Sequence, residues 1–160
     1  MPAKPTAPLH PALGPVADLA VLVAGPFAVY RAGRPVPRHD VGSRKARTLL
    51  ALLAVQSRRV VAVDRIAAVL WGERPPSRCE ANVSTLVSRL RAVLGSGVIT
   101  GDRTGYRLGE SVRVDLDVAD ALIANAESAL VAGGRARALA DRALALLDTG
   151  GVLVDEPDAA

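Results

Sequence analysis

The chain has 160 residues, 50% of them hydrophobic, 22% charged and 2% aromatic, with a formal net charge of +4. No run approaches the roughly 20 apolar residues of a membrane span, the lone Cys79 excludes an internal disulfide and fits a reducing cytoplasm, and the scarcity of aromatic rings argues against base-stacking platforms for single-stranded nucleic acid. The charge is unevenly divided: residues 1–110 carry 16 Lys/Arg against 7 Asp/Glu, whereas residues 111–160 carry 4 against 9, a basic body suited to a polyanion and an acidic tail suited to something else.

Residues 1–17, rich in Pro and Ala, are expected to be a disordered leader without the apolar core of a signal peptide. Residues 19–23 and 27–30 are short apolar runs punctuated by Gly25-Pro26 and predict strands. Arg31-Ala32-Gly33-Arg34 offers a turn, and Pro35-Val36-Pro37 suits only an edge or short strand. Residues 44–57 predict a helix with Ser43 as N-cap and one apolar face made by Ala46, Leu49, Leu50, Leu53 and Ala54. Arg44, Lys45 and Arg47 oppose the dipole in its first turn, a small cost that makes sense if they face phosphates. Residues 63–71 predict a shorter helix that buries Ile66, Ala67, Leu70 and Trp71 and ends at Gly72 before Pro75-Pro76.

The longest predicted helix covers residues 78–94. Ser77 and Glu80 have the spacing of a capping box, Val83, Leu86, Val87, Leu90, Val93 and Leu94 form the inward stripe, and Gly95 closes it. Residues 97–109 predict a β-hairpin with a turn at 101–105 and Arg103 at its tip. Two Ala/Leu-rich helices over 115–132 and 134–148 follow, joined at Gly133-Gly134. The fold class is therefore α+β: an amino-terminal sheet, three helices of rising length, a hairpin and a short helical pair. The expected domains are the leader 1–17, a body 18–110 and a helical tail 111–160.

Three helices followed by a hairpin is the order of a winged helix-turn-helix, in which a helix enters the major groove and the hairpin reaches the adjacent backbone. The residues expected to touch DNA are Arg44, Lys45 and Arg47 on phosphates; Arg78, Asn82, Thr85, Ser88, Arg89 and Arg91 on the long helix; and Arg103, Thr104 and Tyr106 on the hairpin. Arg91 lies near the core edge and could instead pair with a carboxylate, and Tyr106 reads mainly as core. Cys79 reads as an inert thiol. His10 and His39 lack companion ligands, and neither a phosphate loop nor a catalytic constellation is present, so no metal, cofactor or enzymatic activity is expected.

The segments A-G-P-F-A-V-Y-R-A-G-R-P-V-P (24–37), S-R-K-A-R-T-L-L-A-L-L-A (43–54), V-D-R-I-A-A-V-L-W-G-E-R-P-P (63–76), V-S-R-L-R-A-V-L-G (87–95) and T-G-Y-R-L (104–108) resemble the SARP family of transcriptional activators. The resemblance implies an OmpR-like winged helix over residues 19–110, with the helix at 78–94 reading the major groove of double-stranded DNA at promoter direct repeats, and recruitment of RNA polymerase. It also implies a homodimer on DNA and a cytoplasmic, nucleoid-associated protein. Residues 115–158 resemble the start of that family's TPR-like bacterial activation domain. The chain departs from the pattern at Ala81, Val83-Ser84 and Leu86, where relatives usually carry Asn, Leu-Gln and His or Tyr, and at Glu80, where a basic residue is common, so base preference does not carry over. The alternative reading is a protein–protein module whose helical tail dimerises or pairs with a full-length relative.

Overall fold

A computed structural model describes residues 18–56, 58–131 and 136–148; the expected leader, the Gly133-Gly134 joint and the end of the tail lie outside them. The elements in chain order are β1 (Leu19–Leu22), β2 (Ala28–Arg31), β3 (Arg34–Val36), α1 (Arg38–Val41), α2 (Arg44–Val55), β4 (Val61–Ala62), α3 (Val63–Trp71), α4 (Cys79–Leu94), β5 (Ile99–Asp102), β6 (Gly105–Leu108), β7 (Val112–Val114), α5 (Asp115–Val131) and α6 (Ala136–Leu147).

The amino-terminal strands form a four-stranded sheet in the order β3-β2-β1-β7. Ala32 and Gly33, both at positive φ, make the two-residue turn between β2 and β3, the backbone handedness that tight hairpins require. Pro35 sits on the edge strand, where a missing N–H is tolerated. The fourth strand comes from far along the chain: β7 pairs parallel with β1, Val21 opposite Val114. The carboxylate of Asp115, just after β7, then accepts hydrogen bonds from the amides of Val23 and Ala24 at 2.9–3.0 Å and from Leu116 at 2.9 Å. Neither this strand nor this anchor belongs to the elements expected from the linear pattern.

Ser43 caps α2 as expected, its Oγ accepting from the amide of Ala46 at 3.2 Å. The helix is not one-faced, however. Thr48 through Ala54 are all buried, because α2 runs through the middle of the body, against α3, α4 and β6. Two further corrections concern α4. The capping box is absent: Asn82 donates to the carbonyl of Arg78 at 3.0 Å, so Arg78, not Ser77, is the N-cap, Glu80 falls one position short of the reciprocal bond, and no side chain caps this end. Val93 is 38% exposed, because it lies at the edge of the stripe of Val83, Leu86, Val87, Leu90 and Leu94, in the last turn of the helix. Trp71 packs against the core but is only partly buried.

β4 joins the hairpin as a third strand, giving the order β4-β6-β5. The main core unites both sheets with α2, α3 and α4 through Val21, Leu49, Leu50, Leu53, Ile66, Leu90, Ile99 and Leu108, each fully buried and worth about 1.5–3 kcal/mol of transfer free energy. A smaller cluster of Ala119, Leu122, Ala143 and Leu146 closes the α5–α6 pair and touches Leu22 of β1, so the described part of the acidic tail is docked on the amino-terminal sheet.

Candidate nucleic-acid interface

With Val83, Leu86, Val87, Leu90 and Leu94 turned inward, helical geometry places Arg78, Asn82, Thr85 and Arg89 on one outward stripe, spaced four, three and four residues apart. All four are exposed, as are Ser88, Ala81 and Ala92 beside them. The Thr85 hydroxyl donates to the carbonyl of Ala81 at 2.8 Å, which keeps the rotamer fixed and leaves its oxygen outward as an acceptor. The described part of the acidic tail does not cover this face.

The hairpin ends beside the start of α4. Arg103 is exposed at a two-residue turn and shares a shallow cleft of about 370 Å³ with Glu80, Ala81 and Ser84. The turn is held from both sides. Asp102 accepts from the amide and hydroxyl of Thr104 at 2.8 and 2.7 Å, and the Thr104 carbonyl accepts from the amide of Val63, the first residue of α3, at 3.3 Å. The Thr104 hydroxyl and then its amide pull the Asp102 carboxyl below its ordinary value. Gly101, at φ +118, lets the Gly105 carbonyl approach to a place where any Cβ would collide at 2.2 Å.

Several expected contacts are engaged elsewhere. Tyr106 is 4% exposed and leaves no surface for a phosphate, because its ring belongs to the main core. Arg91 is half-buried; its Nε donates to the carbonyl of Ile99 at 2.9 Å, an Nη to that of Gly101 at 3.4 Å, and its guanidinium lies 6.0 Å from the centre of the Tyr106 ring. Lys45 donates to the carbonyl of Leu70 and lies 5.1 Å over the Trp71 ring, at the carboxyl end of α3 where a cation suits the dipole. Arg47 donates to the carbonyl of Gly42 at 2.8 Å. Arg44 is exposed and lines a small cleft with Lys45, Thr48, Val69 and Leu70. The basic first turn of α2 therefore sits at the far end of α3 from the hairpin tip, about 13 Å along the helix.

Outside the expected set are Ser84 and Ala81, which line the cleft with Arg103, and Arg31, whose Nη donates to the carbonyl of Val93 at 2.6 Å and caps the carboxyl end of α4. Ser84 carried a usable signal, since it stands one helical turn before Ser88 and off the inward stripe. Arg31 carried none, since its partner is 62 residues away. Among the described residues no group of three or more His, Cys, Asp or Glu could hold a metal ion, and no helix is long and apolar enough to cross a membrane.

Residues 41–108 match the family described as transcriptional regulatory protein, C terminal. The chain is 40% identical over 139 residues to the regulatory protein AfsR of Streptomyces coelicolor, covering 84% of this chain and 14% of that protein. It is 38% identical over 90 residues to the transcriptional regulatory protein EmbR of Mycobacterium tuberculosis, covering 52% of this chain and 22% of that one. A solved structure of Mycobacterium tuberculosis EmbR in complex with a low affinity phosphopeptide superimposes with a TM-score of 0.70 at 32% identity, over 89% of this chain and 39% of that chain. The chain thus spans only 14% of the length of AfsR.

Proposed function

Residues 41–108 form a domain of the transcriptional regulatory protein C-terminal family, an OmpR-like winged helix, and the relatives the chain matches are SARP-family transcription regulators; from that premise we propose that this chain binds double-stranded DNA in a sequence-specific way. α4 enters the major groove with Asn82, Thr85, Ser88 and Arg89 toward the base edges, and Arg78 and Arg103 hold the flanking phosphates. The observation that carries this reading is the continuity of the outward stripe of α4 with the hairpin tip, left open by the described part of the acidic tail. Arg44 is the remaining phosphate contact on α2, while Lys45, Arg47 and Arg91 shape the domain from within.

We further propose that the protein is cytoplasmic and nucleoid-associated, binds promoter direct repeats as a pair of copies, and activates transcription with RNA polymerase, the α5–α6 pair facing the protein partner. If about six phosphates are neutralised per bound unit, log affinity should fall against log salt with a slope near −5. Titration of a duplex selected from a random pool, followed by footprinting, tests this; a slope near zero overturns it.

A second reading has its own support. Ile123, Leu130, Leu144 and Leu147 are 39%, 71%, 62% and 39% exposed on the helical tail, an unusual amount of apolar surface for a short segment. A protein–protein module acting through this pair would form its complex equally well without DNA and at high salt. Size-exclusion with and without the duplex separates the two readings.

A further inference from the structure

Of the two arginines within α4, Arg89 faces outward and Arg91 turns back toward the hairpin, where three contacts converge on it. Its Nε and one Nη donate to the carbonyls of Ile99 and Gly101, two alternate residues of β5, and its guanidinium carbon lies 6.0 Å from the centre of the Tyr106 ring on β6. One guanidinium therefore touches both strands of the hairpin from the last turn of the groove-reading helix. A planar fork with fixed donor directions suits this task; a lysine ammonium, a single point donor, does not. At its other end the hairpin is tied to α3 by the bond from the Val63 amide to the Thr104 carbonyl. Between these two anchors lies Arg103, beside Ala81 and Ser84.

We infer that Arg91 is a positioning residue that sets the distance and angle between α4 and the hairpin, and so determines where Arg103 meets the DNA backbone when α4 is seated in the groove. The inference rests on the DNA-binding reading above. Arg91 itself does not contact the nucleic acid; its effect on binding passes through Arg103.

The test is a double-mutant cycle on the intact chain, read by duplex titration at several salt concentrations. R91K keeps the charge and loses the fork, and R91Q loses the charge and keeps a planar donor. R91K is expected to weaken binding about tenfold, the scale of one lost charge-assisted hydrogen bond, and neither variant should lower the salt slope beyond the level of R103A, because the only phosphate contact either one disturbs is that of Arg103. R103A is expected to weaken binding and to reduce the slope by about one. R91K should add little in an R103A background, yet add fully to N82A, whose side chain works on the helix alone. Backbone relaxation supplies a readout independent of affinity: amides 102–104 become more mobile in R91K while those of α4 do not. Arg91 is instead a direct contact, and the inference fails, if R91Q in the R103A background lowers the slope by about one more and its effect adds fully to that of R103A. Wild-type affinity together with a rigid hairpin in R91K also overturns it. If R103A and R89A both bind like wild type, the DNA-binding reading falls first and takes this inference with it.

Discussion

Arg89 and Arg91 stand two positions apart, which on an α-helix is a rotation of about 200°. One therefore faces solvent and the other turns back to the hairpin, although the sequence presents them as a matched pair. Replacing Arg89 by Ala should weaken duplex binding about tenfold while leaving the melting temperature unchanged; equal affinity in a titration would remove Arg89 from the interface. Asp115 ties the described part of the tail to the amino-terminal sheet. It is 4% exposed, and its carboxylate pairs two amides of the loop after β1. Asp115→Ala leaves both buried and unmatched, at a cost of about 3 kcal/mol measured by urea denaturation. Burial pushes this carboxyl above its ordinary 3.8, the amides of Val23, Ala24 and Leu116 pulling the other way. The folded chain then keeps this proton to higher pH than the unfolded chain does. The contribution is complete below the unfolded value and is lost as pH rises through the raised folded value. As pH rises from the ordinary 3.8 through the raised folded value, stability relative to Asp115→Asn should therefore decline; an opposite trend in the denaturation midpoints would show that the amide bonds outweigh burial.

Among the elements, the two long helices of the body begin differently. α2 starts with a side-chain cap from Ser43, α4 with none. Ser43→Ala should cost about 1 kcal/mol, and Ser77→Ala close to nothing. Comparable losses for the two would restore a capping role for Ser77 that the hydrogen bonds do not show. An uncapped α4 leaves its first amides without a side-chain acceptor from the cap position. The hairpin is equally specific in design: two turn residues, an Asp102 side chain holding Thr104, and a glycine at 101 whose backbone no other residue adopts without strain.

On the scale of the whole molecule, the tail is joined to the body through more than covalent linkage. β7 completes the amino-terminal sheet, and Arg58, itself at positive φ, donates to the carbonyls of Gly109 and Val112 and pairs with Asp117 at 3.4 Å. A chain ended after residue 110 loses buried Val112 and Val114 as well as the Asp115 anchor, about 5 kcal/mol by transfer alone, which is comparable to the whole stability of a small domain. A chain ended after residue 117 keeps all three. Thermal unfolding should show the shorter version largely unfolded and the longer one cooperative. Equal melting curves would mean that the sheet does not need its fourth strand.

Helical periodicity and turn residues by themselves determined the positions of α2, α3, α4, the hairpin and the two tail helices, the Ser43 cap, the edge position of Pro35, and the outward set Arg78, Asn82, Ser88, Arg89 and Arg103. These depend on neighbours within a few residues, which a linear pattern records. The partners of Lys45, Arg91, Tyr106 and Asp115, the β1–β7 pairing and the all-round burial of α2 were decided only by the tertiary structure. A cation looks the same in sequence whether it meets a phosphate or a carbonyl, and what separates the two is which distant backbone the fold brings within 3 Å of it.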